Sequence, residues 1–321
     1  MSIAKCKTTE KKIRVIFMGT PEFAIPGLSR LVNEPKFEVV GIYTQTDKAT
    51  GRKQIITKPP VKVLAENYDI PVYQPEKIKT EVETIKNLRP DLIVVIAYGK
   101  IIPPHILAIP TYGCINVHGS LLPKYRGASC LNAPILNGDL ETGITIMQME
   151  AGLDTGPILR QAKIQLTGQE KLNEVHDKLS MLGASILIDT LLEYISGKIK
   201  PQIQNDSQAS YIKMLKKEDG KIDWQKSALE IERMIRAYNP WPGTFTKNTN
   251  GKVIKIIDVD NNLLKTNNQK IGELFIDNNR LAVKCGQDAL VILKLQIEGG
   301  KIISGQDFIN GNSNLIGTCF I

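Results

Sequence analysis

The run CINVHGSLLPKYRG, residues 114–127, sets His118 at the end of an apolar stretch, with Asn116 two residues before it and a glycine-bounded turn after it. On an extended segment alternate side chains share a face, so Asn116 would place an amide donor beside a titratable imidazole. One group can hold an oxyanion while the other handles a proton. A second run, MEAGLDTGPIL at 149–159, puts Asp154 in a glycine-bounded loop between two strand-like stretches. A carboxylate there can orient and support an imidazolium. Together the three residues point to transfer to or from a carbonyl, with a structural polar cluster as the competing reading.

Other candidates for chemistry are weaker. His105 (PPHIL) and His176 (NEVHDKL) lie in a loop and on a helix without polar companions that suggest a site. Ser120 follows His118 too closely on a turn to act as its nucleophile. The spacing of metal ligands is absent, so no metal is expected. The five cysteines, Cys6, Cys114, Cys130, Cys285 and Cys319, are odd in number, scattered and without a CxxC pair, and read as reduced thiols. FMGTPEFAIPG at 17–27 reads as a strand, a glycine turn and a helix start. It departs from the GxGxxG fingerprint, which disfavours a dinucleotide dehydrogenase. Two readings stay open for it: a tight turn with Thr20 as N-cap and Pro21 at the first helical position, or a role near the 3′ end of a substrate.

The elements that must position these residues follow from the hydrophobic pattern. From residue 13 to about 197, short β-branched runs (IRVIFMG, FEVVGIYTQ, PVYQ, LIVVIA, GCINVHG, GITIMQM) alternate with amphipathic helical stretches such as EKIKTEVETIKNLR. That is the pattern of an α/β fold with a parallel sheet covered by helices. His118 would then end a strand near the carboxyl edge of the sheet, where doubly wound folds place their ligand crevices. A last long helix opens with the capping-box spacing of Thr167 and Glu170, carries Leu172, Val175, Leu179, Leu182, Ile186 and Leu191 on one face, and ends at Gly197. Residues 13–197 thus form a first domain and the polar stretch 198–215 a linker. After the helical SALEIERMIRAY, short strands (VIKIIDV, KIGELFI, RLAVKC, ALVILKLQI) make residues 216–321 a small antiparallel barrel.

With 321 residues, 42% apolar and 23% charged, the chain has the composition of a folded globular protein of two domains. Its longest apolar stretch, LIVVIAYG, falls far short of the ~20 residues that span a bilayer, and MSIAKCKTTEKKIR has no signal-peptide core. A cytoplasmic protein with no membrane partner is expected. The net charge of +8 favours a polyanionic partner. About half of that excess sits between Thr44 and Lys62, where Lys48, Arg52, Lys53, Lys58 and Lys62 face Asp47 alone, a net +4 in nineteen residues. Such a loop can reach phosphates or unpaired bases, or it is a solvated flexible loop. Lys213, Lys216 and Lys217 continue the basic track.

NVHGSLLPKYRG followed by AGLDTG resembles the signature of the formyltransferases that use 10-formyltetrahydrofolate. FMGTPEFA, TQTDKATGR, PPVKVLA, VVIAYGKIIP, GCINVHGSLLP, ETGITIMQM and AYNPWPGTF, in order over roughly residues 13–310, resemble the methionyl-tRNA formyltransferase family. The resemblance implies a Rossmann-like formyltransferase domain and a C-terminal OB-like β-barrel that binds tRNA. It also implies a catalytic trio of Asn116, His118 and Asp154, and folate binding by Ser120, Leu121, Leu122 and Pro123. Formyl transfer from 10-formyltetrahydrofolate to the α-amine of initiator methionyl-tRNA is the implied activity, in a monomer, with Arg52, Lys53 and Lys58 as tRNA-binding residues. Where the family usually continues RGAAPI, this chain has Ala128, Ser129, Cys130 and Leu131 after Gly127. The same fold and trio also serve formyltransferases that act on small amines such as an amino-sugar nucleotide, and a non-catalytic RNA-binding relative is the remaining alternative.

Overall fold

The computed structural model describes residues 11–51, 54–266 and 268–321. Its two compact units interleave along the chain: of the described residues, 11–51, 54–127, 143–164 and 176–211 form the first, and 128–142, 165–175, 212–266 and 268–321 the second.

The first unit is built on β1 (Ile13–Gly19), β2 (Phe37–Tyr43), β3 (Lys48–Thr50), β4 (Ile55–Thr57), β5 (Val72–Tyr73), β6 (Leu92–Ile96), β7 (Cys114–His118), β8 (Glu141–Gln148) and β9 (Ile158–Gln165). Its main sheet has the order β5-β2-β1-β6-β7-β8-β9, and β3 and β4 pair separately as an antiparallel hairpin. Strands β1, β2, β5, β6 and β7 are mutually parallel. Val15, Ile16, Phe17 and Met18 of β1 and Leu92, Ile93 and Val94 of β6 are all fully buried. Burial of successive residues is what a strand covered on both faces requires, and their unbroken apolar run encodes it. Its helices are α1 (Ile25–Asn33), α2 (Pro60–Glu66), α3 (Val82–Leu88), α4 (Pro104–Leu107) and most of α6 (Leu172–Ile195), while α5 (Ala133–Asn137) belongs to the second unit.

Three sequence expectations change. The sheet is not wholly parallel, because β8 runs antiparallel to β7, with His118 opposite Thr145 and Ile115 opposite Gln148. Thr20 is not an N-cap: α1 starts at Ile25, and the Thr20 hydroxyl donates to the Tyr98 carbonyl (3.1 Å) while accepting from the Gln45 amide (3.3 Å). Finally, the buried stripe of α6 includes Val175, Leu179, Ala184, Leu187 and Leu191, whereas Leu182 and Ile186 are only partly buried. At Gly183 an added Cβ would stand 3.0 Å from Val117 Cγ1, so the missing side chain lets α6 lie close over β7.

In the second unit, α7 (Ala228–Tyr238) opens with a capping box between Ser227 and Glu230. Strands β10 (Thr244–Lys247), β11 (Val253–Val259), β12 (Leu274–Asp277), β13 (Arg280–Lys284), β14 (Ala289–Ile297) and β15 (Ile302–Ser304) are followed by α8 (Gly305–Gly311). The antiparallel order is β10-β11-β14-β13-β12, with β15 also on β14. Its two edges are bridged by the last residues: Leu274 N donates to Thr318 O and Phe320 N to Gly272 O, while Lys247 and Ile321 exchange backbone bonds. This closure makes the sheet a barrel and removes its open edges. Inside lie Ile254, Ile256, Leu274, Leu281, Val283, Leu290, Ile292 and Leu295, under Ile231 and Ile235 of α7.

Candidate active site

Ile115 and Val117 are buried, and Val117 lies beneath Gly183 of α6. The pleat therefore sends Cys114, Asn116 and His118 to the opposite face of β7. Asn116 is half-buried, and its side chain makes no hydrogen bond among the described residues. His118, the last residue of β7, is 5% exposed. Its Nε2 lies 3.0 Å from the Tyr125 carbonyl. A carbonyl only accepts, so Nε2 carries a proton there. Nδ1 stands 3.7 Å from Asp154 Oδ2. That distance exceeds a hydrogen bond but places a carboxylate charge beside the ring.

Asp154 sits in the loop between β8 and β9 with a left-handed φ of 53°, and its Oδ2 accepts from Gly127 N at 2.8 Å. Gly156 allows the loop to hug β8, since a Cβ there would meet Gln148 O at 2.0 Å. The structure thus brings Asn116, His118 and Asp154 together.

The turn from Ser120 to Pro123 is held from beneath by Thr145. The Thr145 hydroxyl donates to Ser120 O (2.7 Å) and accepts from Leu122 N (3.0 Å), and the Gln161 amide donates to Leu122 O (2.8 Å). The Ser120 hydroxyl is committed to Lys124 O at 2.6 Å, in keeping with its exclusion as a nucleophile. Leu121 is half-buried and Leu122 is buried.

Sequence reasoning missed the residues that fix these loops. Arg126 is buried, with a relative exposure of 1%. Its guanidinium donates to Gln204 Oε1, Asp206 Oδ1 (2.7 Å) and the Tyr211 hydroxyl (2.8 Å). The Tyr125 amide donates to Ser210 Oγ and the Arg126 amide to Ser210 O. Gln202 bridges Ile158 of β9. The stretch expected as a linker is thus fastened to the first unit through Tyr211. A buried arginine almost always needs partners, but no sequence pattern marks Arg126 as buried.

His105 is exposed on α4, and His176 does have a polar companion, Asp177 Oδ1 at 2.8 Å. Within the basic loop, Arg52 and Lys53 lie outside the described residues. The other lysines have partners: Lys58 meets Glu66 at 2.8 Å, Lys62 meets Asp47 and Gln74, and Lys48 donates to Gln45. Hydrogen bonds from Gln74 and Lys62 hold the Asp47 carboxyl below its usual range, and Glu66 raises the Lys58 ammonium above its own. Ile55 and Ile56 of β4 are 62% and 74% exposed. Lys213, Lys216 and Lys217 are exposed. Burial pushes the Cys114 thiol and the Tyr98 hydroxyl up to about 12. Among the described residues no group of three or more His, Cys, Asp or Glu side chains is placed to hold a metal ion, and no helix is long and apolar enough to cross a membrane.

Known proteins share this architecture and sequence. The formyl transferase family model matches residues 11–191, and that of the formyl transferase C-terminal domain matches residues 214–313. Methionyl-tRNA formyltransferase of Geobacter metallireducens is 44% identical over 93% of this chain and 96% of its own length. The enzyme of the same name from Caldanaerobacter subterraneus is 43% identical over 95% of this chain and 99% of its own. Among solved structures, an N-formyltransferase from Helicobacter canadensis, in complex with folinic acid and dTDP-3-aminofucose, superposes with a TM-score of 0.66 at 19% identity over 87% of this chain and 98% of that one. HypX from Aquifex aeolicus, in complex with tetrahydrofolic acid, gives 0.64 at 15% identity over 93% of this chain and 47% of that one. These two likenesses concern the fold. With both family models matched in order and relatives above 40% identity along almost the whole length, the chain belongs to the methionyl-tRNA formyltransferase family.

Proposed function

We propose that this chain transfers the formyl group of 10-formyltetrahydrofolate to the α-amine of initiator methionyl-tRNA. The observation that carries this reading is the meeting of Asn116, His118 and Asp154 at the end of β7, in a chain whose relatives bear that enzyme's name. The neutral amine attacks the formyl carbon and the carbonyl electron pair moves onto oxygen. Collapse then breaks the bond to N10, and the amine's proton passes to N10, leaving tetrahydrofolate and formylmethionyl-tRNA. The unpartnered Asn116 amide is the kind of donor an oxyanion requires. His118 takes the amine's proton at Nδ1, the nitrogen that Tyr125 O leaves free of a proton and that Asp154 faces. The imidazolium so formed balances the oxyanion charge and returns the proton to N10. Holding amine and donor together supplies much of the remaining acceleration.

In this reading the donor lies along Ser120, Leu121, Leu122 and Pro123, whose backbone is kept rigid by Thr145 and Gln161. Arg52, Lys53 and Lys58 contact the tRNA, with Lys58 exchanging Glu66 for phosphate. The catalytic unit extends through residue 211, so that the expected linker contributes to the site, and the C-terminal barrel binds tRNA. The enzyme works as a monomer in the cytoplasm and uses no metal.

The test is incubation with 10-formyltetrahydrofolate and methionyl-tRNA, followed by a search for formylmethionine. Formylation of an amino-sugar nucleotide with indifference to tRNA would replace this reading by the small-amine one.

A further inference from the structure

Gln204 is nearly buried, with a relative exposure of 7%, and its amide is satisfied on both sides. Nε2 donates to the Asp154 carbonyl at 2.8 Å and to the Gly156 carbonyl at 2.7 Å. Oε1 accepts from Arg126 Nε at 3.1 Å and Nη2 at 2.9 Å. Carbonyls only accept and a guanidinium only donates, so these partners leave one orientation for the amide. The chain of contacts then closes on itself. Arg126 lies between Tyr125, whose carbonyl holds His118 Nε2, and Gly127, whose amide holds Asp154 Oδ2. The Arg126 side chain returns through Gln204 to the backbone of Asp154 itself. Asp154 occupies a left-handed conformation, which costs energy for a residue other than glycine and persists only when neighbours fix it.

We propose that Gln204 is a positioning residue for formyl transfer, clamping the Asp154 and Gly156 carbonyls to the Arg126 guanidinium so that Asp154 keeps its place beside His118. Gln204 touches neither substrate nor reacting atoms; it acts through Asp154. The inference rests on the formyl-transfer reading for its kinetic consequence, but its structural content is independent of the substrate. Replacing the amide by a carboxylate of the same shape is the sharpest perturbation. Gln204→Glu keeps the pairing with Arg126, yet turns two donors into acceptors facing two carbonyl oxygens.

The experiment is a double-mutant cycle on the full chain with Gln204→Glu, Asp154→Asn and the double variant. Formylation of methionyl-tRNA is followed against pH, and exchange of the Gly127 amide proton is measured by NMR in the same proteins. Gln204→Glu is expected to lower kcat by up to roughly ten-fold, no more than Asp154→Asn itself, with KM for methionyl-tRNA changed less than kcat. In the Asp154→Asn background the same change should cost much less, because coupled residues are not additive. Gly127 exchange should accelerate at least about ten-fold once Asp154 is released. Additive kinetic losses, or an unchanged Gly127 exchange rate, overturn the proposal. If the unmodified protein formylates no methionyl-tRNA, the functional reading fails while the exchange measurement still decides the clamp. Gln204→Leu serves as a second variant for exchange, should Gln204→Glu fail to fold.

Discussion

Two polar regions of the first unit are built on opposite principles. Around His118 the loops 120–127, 149–157 and 202–211 are mutually fastened, and an arginine and a glutamine are buried at their centre, each bonded through several of its polar atoms. The hairpin of β3 and β4 instead carries its charges in solvent, and its apolar residues Ile55 and Ile56 are exposed. Buried polar networks are rigid because each missing partner costs free energy, whereas exposed lysines exchange partners cheaply. A site that must hold a proton donor within tenths of an ångström needs the first design. An exposed pair such as Lys58 and Glu66 is of the second kind, able to trade a carboxylate for another anion.

The largest expected effect breaks the rigid side of this comparison. His118→Ala should fold normally yet lose about 10²–10⁴ in kcat, the usual contribution of a positioned general acid–base group. Near-normal turnover at saturating substrates would take His118 out of the mechanism. Asp154→Asn removes a charge and keeps the shape. The sign follows from attraction: without the carboxylate at 3.7 Å the imidazolium is less stable, so the acidic limb of the kcat profile, where His118 is lost as a base by protonation, should move to lower pH. Loss of about 1.4 kcal/mol of such support corresponds to roughly ten-fold in rate. An unmoved profile would make Asp154 a loop-holding residue only.

The hairpin should respond in binding rather than in chemistry. Arg52→Ala should flatten the salt dependence of tRNA affinity by about 0.7–0.9 in log–log slope if it makes one phosphate contact, with folate binding unaffected. Lys58→Ala should flatten it less, because Lys58 must first leave Glu66. Titrations across a salt series, with folate binding in parallel, separate these outcomes from misfolding. Equal slopes for both variants and the parent protein would remove the hairpin from the tRNA interface.

The smallest effect concerns the core thiols. Cys114 and Cys285 are buried and pushed up to about 12, so both should resist alkylation in the native protein at pH 8, while among the cysteines of the described residues the partly exposed Cys319 reacts first. Because the folded state holds these protons and the unfolded state releases them above the ordinary thiol value of 9.0, their contribution to stability should fade only as pH rises from 9.0 toward about 12. Rapid labelling of Cys114 at pH 8 would mean that β7 opens on its own.

Much of the molecule is determined by sequence pattern alone. Unbroken apolar runs make β1 and β6 buried strands, and the alternation in CINVH sets Asn116 and His118 on one face. The spacing Ser227 to Glu230 starts α7. These are local properties, carried by residues within a turn or two of one another. Tertiary structure alone decided that β8 turns antiparallel, that residues 317–321 close the barrel, and that Lys58 is paired with Glu66. It also decided that a polar stretch without period would supply Gln204, Ser210 and Tyr211 to the loops of the site. Arg126 and Gln204 are 78 positions apart, and nothing in either neighbourhood encodes the other. Their pairing arises because folding brings a buried guanidinium within reach of an amide, and leaving either without a partner in the interior would cost more than the chain can offset.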